Sequence, residues 1–107
     1  MDWQSLVSRP INKRGPASEG GWNAYGTSWS RVDILDPLMT GFLATTWARA
    51  YVGWPCDEEM EKLRDAYVRA DGAAEQKATA EAVQRHAYDI VTHVPLGEYY
   101  SVMAVPS

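Results

Sequence analysis

Hydrophobic positions along the chain follow two periods. Trp3, Leu6 and Val7 have helical spacing over residues 2–7, and Pro10 marks the end of that segment. Over residues 22–29 the period changes to two. Asn23, Tyr25, Thr27 and Trp29 fall on one side and Trp22, Ala24, Gly26 and Ser28 on the other, which predicts a strand with a bulky and a small face. Asp36-Pro37 then supplies a cap and a first turn for a short helix over residues 38–43. Residues 45–56 hold Trp47, Tyr51 and Trp54, with Gly53 and Pro55 interrupting any long element.

Asp57 is placed to cap the next helix, with Glu58 and Glu59 in its first turn, where the macrodipole favours anions. Met60, Leu63 and Tyr67 make one apolar stripe on that helix, and Asp71-Gly72 ends it. A second helix over about residues 74–92 carries Val83, Ala87, Ile90 and Val94 on its stripe, with a Glu81–Arg85 pair on its outer face. The two helices are expected to form an antiparallel hairpin. Pro95 stops the second, and residues 96–105 are rich in β-formers and read as a closing strand. Residues 10–21, with Pro10, Pro16, Gly15, Gly20 and Gly21, read as a flexible connection.

The expected fold is therefore mixed α+β, within the α/β class, with about four helices and two or more strands in one unit over residues 1–107. Two strands make no independent sheet, so either these pair with strands elsewhere or the chain is part of something larger. Composition narrows the partners. Fourteen acidic against ten basic side chains give a net charge of −4, which argues against nucleic acid, whose phosphates need a basic face. Cys56 is the single cysteine, so neither an intramolecular disulfide nor a cysteine-based zinc site is available. No apolar run reaches the roughly 20 residues of a membrane span. The first residues show neither the basic nor the apolar part of an export signal. Five Trp and six Tyr against one Phe suit half-wet surfaces as well as cores and hint at a recognition surface.

Catalytic and metal chemistry find no support. Cys56 precedes three carboxylates, which oppose formation of a thiolate. His86 and His93 are seven residues apart, about 10 Å along one helix and too far to share a metal ion. The acidic run at residues 57–61 has no apolar surroundings to raise a carboxyl pKa, so it reads as a helix start facing solvent. No phosphate-binding glycine loop or nucleophile elbow is present. No enzyme, cofactor or metal is expected.

Three segments taken together carry a resemblance. They are Met1-Asp2-Trp3 leading into Gly20-Gly21-Trp22-Asn23-Ala24-Tyr25-Gly26-Thr27-Ser28-Trp29-Ser30, then Gly53-Trp54-Pro55-Cys56-Asp57-Glu58-Glu59-Met60-Glu61-Lys62-Leu63-Arg64-Asp65-Ala66, and Gln84-Arg85-His86-Ala87-Tyr88-Asp89-Ile90-Val91 followed by Val94-Pro95-Leu96-Gly97-Glu98-Tyr99-Tyr100. In order and spacing the chain resembles the C-terminal part of the family 5 extracellular solute-binding proteins, the peptide, dipeptide and nickel-type receptors of ABC importers. The resemblance implies part of a two-lobed periplasmic-binding-protein fold whose parent captures a peptide or similar small polar solute and delivers it to permease subunits. It also implies a periplasmic parent and binding without chemistry.

In that family the segment after the Trp-containing strand lines the ligand cleft, and an acid there holds the α-amino group of a bound peptide. Carried onto this chain, the segment is Trp29-Ser30-Arg31-Val32-Asp33, and the acid is Asp33. Asp36 is the neighbouring competitor, although its place before Pro37 suits helix capping. Tyr25, Thr27, Trp29 and Ser30 complete the candidate ligand-binding set, with core packing an equal alternative for the aromatic wall. A reading from a different class is a small interaction module that binds protein partners, or a second copy of itself, through the aromatic surface. Self-association is expected in either case, because the helix stripes and unpaired strands need covering.

Overall fold

The computed structural model describes residues 4, 5, 8, 17–19, 24, 26–51 and 53–102. Two long helices organise it, α1 (Glu58–Arg69) and α2 (Ala73–Ile90), joined by a three-residue turn into the expected antiparallel hairpin. Asp57 caps α1 as its position requires: its Oδ1 accepts the Met60 amide at 2.7 Å. The α1 helix stops at Ala70, and Gly72, at φ 98°, makes the reversal in a region open to glycine. The α2 helix ends on Val91 in the left-handed conformation (φ 51°), its amide donating to the Ala87 carbonyl.

The core between the helices is small. Met60 and Val83 are fully enclosed and Leu43 nearly so, with Leu63, Ala87 and Ile90 packed around them. Met60, Leu63, Val83, Ala87 and Ile90 thus lie where the stripes put them. Val94 does not: it lies beyond the end of α2 and is exposed. Glu81 pairs backwards with Lys77 at 3.8 Å on the exposed face of α2 rather than forwards with Arg85.

The mixed α+β expectation fails. Among the described residues there is no strand, only an isolated antiparallel bridge between Thr46 and Cys56. Ala24 and residues 26–30 have no regular structure, and neither have residues 93–102. The physical reason lies in what alternation encodes. It sorts side chains to two faces but supplies none of the N–H and C=O partners a ladder needs, and these two segments do not pair with each other.

The helix expected over residues 38–43 is reduced to a single 3-10 turn, Gly41–Leu43. Asp36 does cap locally, its Oδ1 accepting the Leu38 amide at 2.7 Å, but Pro37 and Leu38 continue as a turn because their carbonyls are taken by Arg64. Other 3-10 turns are Ala17–Glu19, Arg31–Ile34 and Trp47–Arg49. The expected helix over residues 2–7 and the connection over residues 10–21 lie mostly outside the described residues.

Candidate functional site

Residues 36–46 form a strap laid across α1, and three side chains of that helix, one turn apart, fasten it. Tyr67 donates its hydroxyl to Asp36 Oδ2 at 3.1 Å. Arg64 donates Nε to the Pro37 carbonyl and Nη2 to the Leu38 carbonyl, both at 3.3 Å. Glu61 accepts the Thr45 amide at 2.7 Å and the Thr45 hydroxyl at 3.1 Å, and both its oxygens take Arg64 Nη1 at 3.0 Å. Thr45 Oγ1 also donates to the Asp57 carbonyl at 2.7 Å, although the Glu61 contact uses the same hydroxyl, so the proton serves one acceptor at a time. Residues 61, 64 and 67 share a helix face through their i, i+3 spacing, which is why one helix can hold the strap along its length.

Charge follows from these contacts. Partial burial pushes the Glu61 carboxyl up, but the Thr45 amide and the Arg64 guanidinium outweigh it, and the group sits below its ordinary value. The Tyr67 phenol is pushed up by its hydrogen bond to the Asp36 carboxylate.

Ahead of the strap lies the turn that carries the candidate acid. Asp33 sits in the 3-10 turn Arg31–Ile34, exposed, its amide donating to the Ser30 carbonyl at 3.0 Å. Its carboxylate makes no hydrogen bond or ion pair among the described residues. Ser30 is the N-cap of that turn but its hydroxyl makes no capping bond. Thr27 is exposed. Tyr25 lies outside the described residues.

Trp29 anchors the near end of the turn. Its ring meets Phe42 edge-on at 5.0 Å and Tyr51 at 5.4 Å, and Phe42 meets Tyr51 at 5.6 Å. His93 lies tilted against the other side of Phe42 at 5.0 Å, and burial there holds its pKa below the ordinary value. Gly41 leaves space beside Trp29 and Tyr51, since an added Cβ would meet them only at 3.8–3.9 Å. Trp29 therefore belongs to a packed aromatic cluster while staying partly exposed, and Asp33 lies exposed four positions further along the chain. Sequence reasoning selected Trp29 and Asp33 but missed Phe42, Arg64 and Tyr67, whose partners are 13 to 31 positions away in the chain.

Asp36 is a structural acid here, with both oxygens engaged by Leu38 and Tyr67. Two open depressions elsewhere, one lined by Lys62, Asp65 and Arg69 and the other by Thr45, Trp47, Cys56 and Glu61, do not include Asp33. Among the described residues no group of three or more His, Cys, Asp or Glu could hold a metal ion. No helix among them is long and apolar enough to cross a membrane.

Sequence comparison points to the class of periplasmic solute-binding proteins. The chain is 35% identical over 97 residues, 91% of its length, to the "Probable peptide ABC transporter periplasmic-binding protein y4tO" of Sinorhizobium fredii (strain NBRC 101917 / NGR234). The match bears out the resemblance carried by the three motifs. The chain spans 18% of that protein's length. No family model and no solved structure matches it.

Proposed function

We propose that this chain is the ligand-contacting portion of the substrate-binding component of an ABC importer, and that its parent carries a peptide or similar small polar solute through the periplasm to permease subunits. The reading rests on the similarity to a periplasmic-binding protein and on one observation: the Asp33 carboxylate is exposed, and unpaired among the described residues, on a turn anchored at both ends. A peptide's free amine loses hydration on entering a cleft, and a fixed carboxylate offsets that loss with a charge-assisted hydrogen bond of about 1.5–3 kcal/mol. The partly exposed Trp29 offers an apolar wall, and the exposed Ser30 and Thr27 extend the candidate surface. The chemistry is binding alone.

The test is an amide NMR titration of the chain with trialanine, with N-acetyl-trialanine as control. Half a cleft loses the enclosure that gives tight binding, so the dissociation constant is expected near the millimolar range, about −4 kcal/mol. Shifts are expected at residues 29–34, absent with the acetylated peptide and absent in Asp33→Asn. Shifts that persist in Asp33→Asn, or with the blocked amine, overturn the assignment. A second reading, an interaction module, is favoured by the apolar side chains beyond α2, where Leu96 and Tyr100 are 93% and 94% exposed.

A further inference from the structure

The turn that carries Asp33 buries none of its own residues. It is a single 3-10 turn, with the Asp33 amide donating to the Ser30 carbonyl, and Arg31, Val32, Asp33 and Ile34 are all exposed. Such a segment would ordinarily fluctuate, because few buried contacts oppose its backbone entropy. Its two ends are nevertheless fixed to different parts of the molecule. On one side Trp29 is wedged between Phe42 and Tyr51. On the other, Asp36 is tied by one oxygen to the Leu38 amide and by the second to the Tyr67 hydroxyl. The next two residues are held by Arg64, itself oriented by Glu61. The route from the helix to the turn is thus continuous: α1, Tyr67, Asp36, then the residues that lead back to Asp33.

We propose that Tyr67 is a positioning residue for ligand recognition: acting through Asp36, it fixes the far end of the Arg31–Ile34 turn, so that Asp33 is held in one orientation before a ligand arrives. The inference rests on the reading of Asp33 as an amine-binding acid, and it adds a residue, on an element 31 positions away from its partner, to the machinery. A carboxylate already held in place needs less ordering on binding, so the clamp acts on affinity without touching the ligand.

The experiment compares backbone order parameters of the 15N-labelled full chain with those of Tyr67→Phe and Asp36→Asn. Tyr67→Phe removes one hydroxyl from a half-exposed site and leaves the ring packing intact. Amide order parameters at Arg31–Ile34 are expected to fall from near the rigid value of about 0.85 towards about 0.6, while those of Met60 and Val83 stay unchanged. Asp36→Asn retains an oxygen for the Leu38 amide and offers an N–H to the Tyr67 oxygen, so it is expected to keep the turn rigid. Unchanged order at Arg31–Ile34 in Tyr67→Phe overturns the proposal. So does an equal loss at Met60 and Val83, which would mark a general structural role. Trialanine is then titrated into both proteins, and Tyr67→Phe is expected to bind about three- to tenfold more weakly. Equal affinity despite a loosened turn also overturns it. If the unaltered chain shows no trialanine response at Asp33, the amine-binding reading fails, and the positioning role is decided by the order parameters alone.

Discussion

His86 Nε2 lies 2.8 Å from Asp57 Oδ1, the same carboxylate oxygen that accepts the Met60 amide at 2.7 Å. One acid therefore caps α1 and ties that cap to the last third of α2, with Asp57 and His86 29 positions apart in the chain. The pair lies at the edge of the core containing Met60 and Val83 and fixes the alignment of the antiparallel helices. Asp57→Ala is expected to cost about 1–2 kcal/mol, the upper range for a lost N-cap, and His86→Ala about 0.5–1.5 kcal/mol for the lost hydrogen bond. Urea denaturation followed by circular dichroism measures both. If the double variant loses as much as the sum of the two, the proposed coupling is absent.

The same acid sets a pH dependence. The Met60 amide, then His86, hold the Asp57 carboxyl below its ordinary value of 3.8. The unfolded chain takes up this proton near 3.8 and the folded one only at lower pH, so the contribution is fully present above about pH 4 and fades as pH falls through the lowered value. Stability measured between about pH 5 and pH 2.5 should fall less steeply in Asp57→Ala than in the parent. An identical slope would remove Asp57 from the account.

Glu61 fastens the strap that follows the Arg31–Ile34 turn. Its replacement by Ala leaves the Thr45 amide and the Arg64 guanidinium without their carboxylate, and Thr45 is buried. The expected loss is about 1–3 kcal/mol, the cost of leaving such a group unsatisfied. Glu61→Gln retains one carbonyl for the Thr45 amide and should lose less. The difference between the two variants, read from denaturation midpoints, separates the buried hydrogen bond from the ion pair to Arg64; equal losses would mean that Thr45 finds another acceptor.

The helix hairpin was legible in the sequence and the rest of the architecture was not, for a physical reason that runs through particular residues. Asp57, Met60, Leu63, Val83 and Ala87 obey rules that operate within one or two helical turns, and the structure places each where its spacing requires. The segment around Trp29 obeys the strand period just as well, but a strand also needs a neighbour. Trp29 finds an aromatic cluster, and among the described residues Ala24 and residues 26–30 find no ladder. The candidate acid rests on the motif resemblance, whereas the helical stripe that includes Tyr67 was legible in the spacing. That Tyr67 uses its hydroxyl to reach Asp36 was not, because no local pattern links the two positions.

Core size yields a further prediction. Met60 is fully buried at the junction of both helices, and among the described residues Val83 and Leu43 are its enclosed apolar companions. Truncation of a buried Met to Ala costs about 2–5 kcal/mol through lost transfer energy and the cavity left behind. Single domains have only about 5–15 kcal/mol in total, and a core this small belongs near the bottom of that range. Met60→Ala is therefore expected to abolish the cooperative helical unfolding transition near room temperature, whereas Val68→Ala, on the exposed face of α1, should leave it intact. A cooperative transition retained in Met60→Ala would show that the hairpin draws its stability from the strap contacts instead.

Beyond α2 the chain exposes Val91, Val94, Leu96, Tyr99, Tyr100 and Val102, the last at 93%. Scattered apolar residues on a surface are ordinary, but a run of this density is not, and residues 93–102 also lack a backbone ladder among the described residues. Unpaired extended backbone and apolar side chains are both covered most directly by another extended segment. The segment carries Glu98 as its one formal charge at pH 7, so little electrostatic repulsion opposes contact between two copies. The isolated chain is accordingly expected to self-associate at micromolar concentration, with a sedimentation coefficient that rises with loading. Leu96→Lys combined with Tyr100→Lys places four like charges in any contact between two such segments, and should return the chain to a monomer without altering the helical circular dichroism signal. A parent chain that is already monomeric across that range, and that binds no hydrophobic dye, would mean that this surface is tolerated in water and that the expectation of self-association is wrong.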